Sequence, residues 1–158
     1  MPQISLHSPV GDITVSAEDD KIVAVDWGWS SEQTKTPLLV EAKRQLEDYF
    51  DGKLTKFTLP LNPSGTAFQR QVWRLMTKIP SGRTETYGAL AKKLDASARS
   101  VGTACGRNPL PILIPCHRVV GADGNLGGYS GSGGLDTKTA LLQLEGALPA
   151  SLFTEKKR

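Results

Sequence analysis

Cysteine and histidine are scarce in this sequence, with two of each in 158 residues. Cys105 and Cys116 are too few for a disulfide framework. Cys116 and His117 are adjacent, and no close Cys–Cys or His–His pair joins them to Cys105 and His7 in the spacing of a structural zinc site. Both thiols are therefore expected to be free, and no metal is expected. Long apolar runs are missing too: none approaches the roughly 20 residues needed to cross a bilayer. Residues 1–6 lack the basic-then-apolar order of a secretory signal. The expectation is a soluble cytoplasmic protein with no membrane partner.

What is present suits one globular unit or two small packed ones, since 39% of residues are hydrophobic and 22% charged. The net charge of +3 conceals an asymmetry. Residues 1–60 carry 6 Lys and Arg against 10 Asp and Glu, giving −4, while residues 61–158 carry 13 against 6, giving +7. A basic C-terminal part suits contact with a polyanion, although a modest cationic excess also arises on any solvated surface.

The local pattern changes at the same place. Short β-rich runs over 4–6, 13–15 and 22–29 are separated by turn residues and predict a small antiparallel sheet. Leu38, Leu39, Ala42, Leu46, Tyr49 and Phe50 recur at helical spacing, with Gly52 as a stop. Residues 55–65 hold two prolines and no helical period, and read as a linker. Beyond it, Phe68, Val72, Leu75, Met76 and Ile79 form one apolar stripe. A helix over 87–94 then breaks at Asp95, and another begins near the cap candidate Ser97 and carries Arg99 and Arg107. This pair matches a helix-turn-helix with a cationic second member, or any corner between two helices. A last helix over 136–145 is predicted to turn Leu141, Leu142 and Leu144 inward and to end at Gly146.

Chemistry concentrates at Asn108-Pro-Leu-Pro-Ile-Leu-Ile-Pro115-Cys116-His117-Arg118-Val119, where three prolines stiffen the approach to a Cys-His-Arg cluster. Neighbouring His117 and Arg118 are expected to favour the Cys116 thiolate, the nucleophilic form, while the alternative is a buried inert cysteine. Cys105 lies among small helical residues and reads as packing, and His7 as an ordinary surface histidine. The glycine-rich run 127–134 admits a flat ligand or forms a mobile loop. No Walker-type lysine accompanies it, which disfavours a phosphate cradle. Glu145 either solvates the last helix or reaches back to orient His117.

The Pro115-Cys116-His117-Arg118-Val119 run resembles the active-site signature of the O6-alkylguanine-DNA alkyltransferases. The resemblance covers most of residues 64–146, including Phe68 to Ile79, Thr86-Tyr87, Arg99, Asn108-Pro109, the Gly-Tyr-Ser loop and the closing Leu-Leu-x-x-Glu-Gly. It implies an α+β protein. Residues 1–60 would form an RNase-H-like domain of sheet and helix, and residues 61–158 a winged-helix-type domain that meets double-stranded DNA, as a monomer, from the minor groove.

The implied reaction is a single-turnover transfer of the alkyl group from a flipped O6-alkylguanine, and from O4-alkylthymine, to Cys116, without a cofactor. Residue by residue, the resemblance makes His117 the base and Glu145 its orienter. Tyr87 donates to guanine N3, Asn108 braces the active-site turn, and Arg99 replaces the extruded nucleotide. Val119 contributes a carbonyl to the guanine amino group, with Tyr129 and Ser130 lining the pocket. Two departures stand out: the loop between Tyr129 and Leu135 is longer than in short family members, and Cys105 stands where another small residue is expected. A lesion-binding protein without chemistry and a turnover hydrolase are the alternatives.

Overall fold

The structure, a computed structural model, describes residues 1–122, 125–126 and 134–148. Three strands, β1 (Gln3–Leu6), β2 (Ile13–Glu18) and β3 (Lys21–Trp27), form an antiparallel sheet in the order β1-β2-β3. Helix α1 (Pro37–Phe50) covers it. It starts where Thr36 accepts a hydrogen bond from the Leu39 amide and Pro37 occupies the first turn, where its missing N–H costs nothing. Leu39, Ala42, Leu46 and Tyr49 recur at the helical period and face inward, so one stripe meets Ile13 and Val15 of the sheet in a common core.

Residues 55–65 are not a free tether. Pro60 accepts from the Ile22 amide and the Asn62 amide donates to the Ile22 carbonyl, each at 2.8 Å, so the segment bridges in parallel to β3 at Leu61. The Thr58 amide also donates to Gln45 on α1 at 3.0 Å. Proline cannot donate to a ladder, but its carbonyl still accepts, and that lets a proline-containing stretch dock on a sheet edge.

Helix α2 (Ala67–Thr77) opens with a capping box in which Thr66 and Gln69 exchange hydrogen bonds. The backbone at Gly65 passes so close to the Trp73 ring that a Cβ there would lie 2.5 Å from the indole. Trp73 is buried and its Nε1 donates to the Ala104 carbonyl at 2.9 Å. Helices α3 (Tyr87–Leu94) and α4 (Ala98–Gly106) follow, capped by Thr86 and Ser97 and separated by Asp95 in the left-handed conformation at φ +51°. They form the helix-turn-helix. Strand β4 (Glu85–Thr86) pairs in parallel with β5 (Val119–Val120), tying the entry to α3 to the residues just after a 3-10 turn at Cys116–Arg118.

Helix α5 (Leu135–Leu144) closes the described chain, with Thr137, Lys138, Leu141 and Leu142 buried. Leu144 is exposed, contrary to the inward orientation expected for it. At about 100° per residue it falls roughly 90° from the centre of the buried face, whereas Glu145 falls near that centre. Among the described residues no helix is long and apolar enough to cross a membrane.

Candidate active site

The segment 108–115 is held rigid by a side chain. Asn108 is buried; its Nδ2 donates to the Ile114 carbonyl and its Oδ1 accepts from the Leu110 amide, both at 2.9 Å. Between those anchors Ile112 adopts φ +75°, a left-handed conformation that a β-branched residue keeps only when its surroundings enforce it. From the sheet side, the Val25 amide donates to the Pro109 carbonyl at 2.9 Å. This braced loop delivers Cys116 to the start of the 3-10 turn, where it is buried.

Burial pushes the Cys116 thiol up from its ordinary range. A hydrogen bond with the Asn108 side chain and the positive charge of Lys138 oppose that. His117 and Arg118 do not do so, contrary to the expectation from their adjacency. Both side chains turn toward Glu145, so the sequence neighbours of the sulfur serve a different partner.

Glu145 is the hub. Its Oε2 accepts from His117 Nε2 at 2.8 Å, from Arg118 Nη2 at 2.8 Å and from the Tyr49 hydroxyl at 2.6 Å, while Oε1 accepts from Arg118 Nε at 2.9 Å. Arg118 also donates from Nη1 to the Ile79 carbonyl at 2.6 Å. Burial acts to raise the Glu145 carboxyl, but the hydrogen bonds from His117 and Arg118 outweigh it and hold the group down at about 2. The carboxylate is thus ionised and can only accept, which places the His117 proton on Nε2. Burial lowers His117 against the pull of Glu145, so its imidazole is neutral near pH 7. His117 Nδ1 is left as a buried nitrogen with no hydrogen-bond partner among the described residues. A neutral imidazole with an unpaired Nδ1, oriented by a carboxylate, has the geometry to accept a proton.

Lys138 was not anticipated from sequence. Its amine is buried on α5, donates to the Val119 carbonyl at 2.7 Å and to the Leu126 carbonyl, and lies 5.8 Å from the centre of the Tyr87 ring. Burial lowers it, while the two thiols raise it. The available signal was a lysine seven residues before Glu145, on the same helical face as Leu141. Tyr49 and Arg118 were likewise missed as partners of Glu145. Tyr49 was assigned to the apolar stripe, although a buried tyrosine hydroxyl needs a partner.

Tyr87, at the first position of α3, has its hydroxyl pushed up to about 12 by burial and by its nearness to Cys105 and Cys116. Cys105 lies in the core with its Sγ 3.4 Å from Met76 Sδ, and burial pushes it to about 12, as a packing thiol. The Val119 carbonyl accepts from Lys138 Nζ. Arg99 is exposed on α4 and borders a groove with Phe68, Gln69 and Thr103. It is not brought to the sulfur. His7 is exposed and pairs with Asp12 at 2.6 Å. Tyr129 and Ser130 lie outside the described residues.

Fold and site together define a helix-turn-helix protein with a braced, buried thiol beside a His–Glu pair. The chain belongs to the 6-O-methylguanine DNA methyltransferase family: the family's ribonuclease-like domain matches residues 3–63 and its DNA-binding domain residues 67–147. It is similar to the methylated-DNA–protein-cysteine methyltransferase of Methanosarcina acetivorans, 41% identical over 151 residues that cover 89% of this chain and 96% of the relative. The constitutive enzyme of Bacillus subtilis is 39% identical, covering 88% and 92%. Among solved structures, the Mycobacterium tuberculosis OGT in complex with DNA is similar at a TM-score of 0.83 and 38% identity, covering 96% of this chain and 98% of that one. The O6-methylguanine DNA methyltransferase of Methanococcus jannaschii is similar at 0.68 and 31%, covering 92% and 94%.

Proposed function

We propose that this protein repairs alkylated DNA by moving the alkyl group of O6-alkylguanine, and of O4-alkylthymine, onto Cys116, once per molecule. The observation that carries the reading is the buried Cys116 thiol beside Asn108 and Lys138, followed in sequence by a histidine whose Nε2–H is committed to Glu145 and whose Nδ1 is unpaired. Residues 61–158 carry the chemistry in this reading, and residues 1–60 form the companion domain.

The base must leave the stack, because O6 is inaccessible inside a duplex; unstacking costs a few kcal/mol. Arg99, exposed on the second helix of the helix-turn-helix, enters from the minor groove and fills the gap. The Val119 carbonyl accepts from the guanine amino group, and Tyr129 and Ser130 complete the pocket. His117 Nδ1 takes the thiol proton and Lys138 stabilises the sulfur anion. The sulfur attacks the alkyl carbon, so an S–C bond forms as the O6–C bond breaks. The electron pair returns to the purine, which becomes neutral by taking a proton at N3 from Tyr87. Tyr87 recovers its proton from the imidazolium. The thioether contains no bond that this cluster can hydrolyse, so the protein ends alkylated. A monomer in the cytoplasm suffices.

The test is mass spectrometry after mixing with an O6-methylguanine oligonucleotide. One methyl group on the peptide containing Cys116, with stoichiometric repair, is the expected result. An unchanged protein that still binds the DNA would make it a lesion-binding protein, and repeated turnover a hydrolase. Cys116→Ala should bind DNA and transfer nothing.

A further inference from the structure

We infer that Tyr49, on α1 of the N-terminal sheet-and-helix part, is a positioning residue for the Glu145–His117 pair, so that this part contributes a side chain to alkyl transfer. The inference rests on the relay proposed above and adds a member to it. Tyr49 stands 96 positions before Glu145, yet its hydroxyl makes the shortest of the contacts to Oε2, at 2.6 Å. Its ring is 2% exposed and wedged against Phe50 and Phe57, each with centroids 5.2 Å away. Helix α1 is itself fixed on the sheet by Leu39, Ala42 and Leu46, so the hydroxyl approaches the carboxylate from a rigid support.

Two things follow from that placement. Arg118 grips the carboxylate in a two-pronged fork from the 3-10 turn, and Tyr49 holds Oε2 from the other part of the chain, which opposes rotation of the carboxylate away from the imidazole. The hydroxyl also draws charge from the same oxygen that receives His117 Nε2–H. It therefore weakens the carboxylate's pull on the imidazole and keeps His117 less basic than Glu145 and Arg118 alone would leave it. Among the described residues, the ionisable groups facing Glu145 are His117 and Arg118 from the 3-10 turn and Tyr49 from α1. Lys138 on α5 acts on His117 by charge from further away.

The experiment is single-turnover transfer from an O6-methylguanine duplex, followed from about pH 5 to about pH 8, on the full chain; the acid limb reports the base. In Tyr49→Phe the duplex affinity is expected to stay within about twofold, and the rate constant to fall about tenfold, the worth of one hydrogen bond to a charged group. The acid limb should move to higher pH, because the imidazole gains basicity. Phe57→Leu, which loosens the same ring but leaves the hydroxyl, should lower thermal stability and leave the limb in place. Site-specific 3-fluorotyrosine at position 49 keeps the shape and donates more strongly; it should move the limb to lower pH and decides the matter if Tyr49→Phe does not fold. A limb unmoved by either change at position 49, or moved equally by Phe57→Leu, overturns the role of Tyr49. Wild-type protein that transfers nothing overturns the proposed function itself.

Discussion

Glu145→Gln keeps the shape of the side chain and removes its charge. In the wild type the carboxyl is held at about 2 against an ordinary 4.5, and the side chain is only 1% exposed. The folded state thus gives up this proton more readily than the unfolded chain. Its contribution is fully present above about pH 4.5 and is lost as pH falls toward 2, about 3 kcal/mol in all; about 1 kcal/mol of it has gone by about pH 3.5.

The substitution also leaves the Arg118 guanidinium buried and facing an amide. Breaking a buried pair from one side costs about 3–5 kcal/mol. Glu145→Gln should therefore lower the unfolding free energy by about 3–5 kcal/mol at pH 7, and that gap should narrow by about 1 kcal/mol at about pH 3.5, where the wild type loses what the variant never had. Urea unfolding at both pH values, read by tryptophan fluorescence, measures it. Other carboxylates, such as Glu41 beside Arg44, are the same in both proteins and cancel, and the comparison is made with His117→Gln in both, because Glu145 also raises the imidazole. A gap of constant size across this range would refute an ionised Glu145. Alkyl transfer by the same variant should slow about a hundredfold or more, because the imidazole loses the group that fixes its tautomer.

Lys138→Met removes the positive charge that favours the Cys116 thiolate. The pH at which Cys116 becomes reactive toward iodoacetamide should rise, and an unchanged profile would remove Lys138 from the account. Arg99→Ala should slow repair in a duplex far more than transfer from a free alkylated base, and equal losses on the two substrates would argue against insertion into the stack. Gly65→Ala forces a Cβ to within 2.5 Å of the buried Trp73 ring. Overpacking of this kind costs about 1–3 kcal/mol, so a melting temperature equal to that of the wild type would show the indole to be freer than its burial suggests.

The sheet, the helices and the helix-turn-helix were legible in the sequence because each is announced locally. Ser97 and Asp95 are boundary residues that act within four positions of themselves, whereas the caps at Thr36 and at Thr66 with Gln69 emerge only with the structure. The cysteine and its histidine were legible because they are adjacent, and the asparagine brace because the resemblance implies it. The docking of residues 55–65 was not, since two prolines hide a stretch whose Pro60 carbonyl and Asn62 amide still pair with β3. Nor were Arg118 and Tyr49 legible as partners of Glu145, which they reach from 27 and 96 positions away without any local pattern, whereas its pairing with His117 was one of the two roles expected for it and the one the resemblance implies. Leu144 was misread, and Lys138 missed, for one reason. Hydrophobicity was used to assign the inner face of α5, whereas that face is partly built from charge.

Helix α5 presents the ammonium of Lys138 and the carboxylate of Glu145 two turns apart on one side. The two opposite charges bracket a dipeptide, one attending the sulfur and the other the ring beside it. Their separation is fixed in whole residues, so inserting or deleting one amino acid between them would swing one charge by about 100° out of the interior. This stretch of the gene should therefore tolerate substitutions at its outward positions while refusing any change in length.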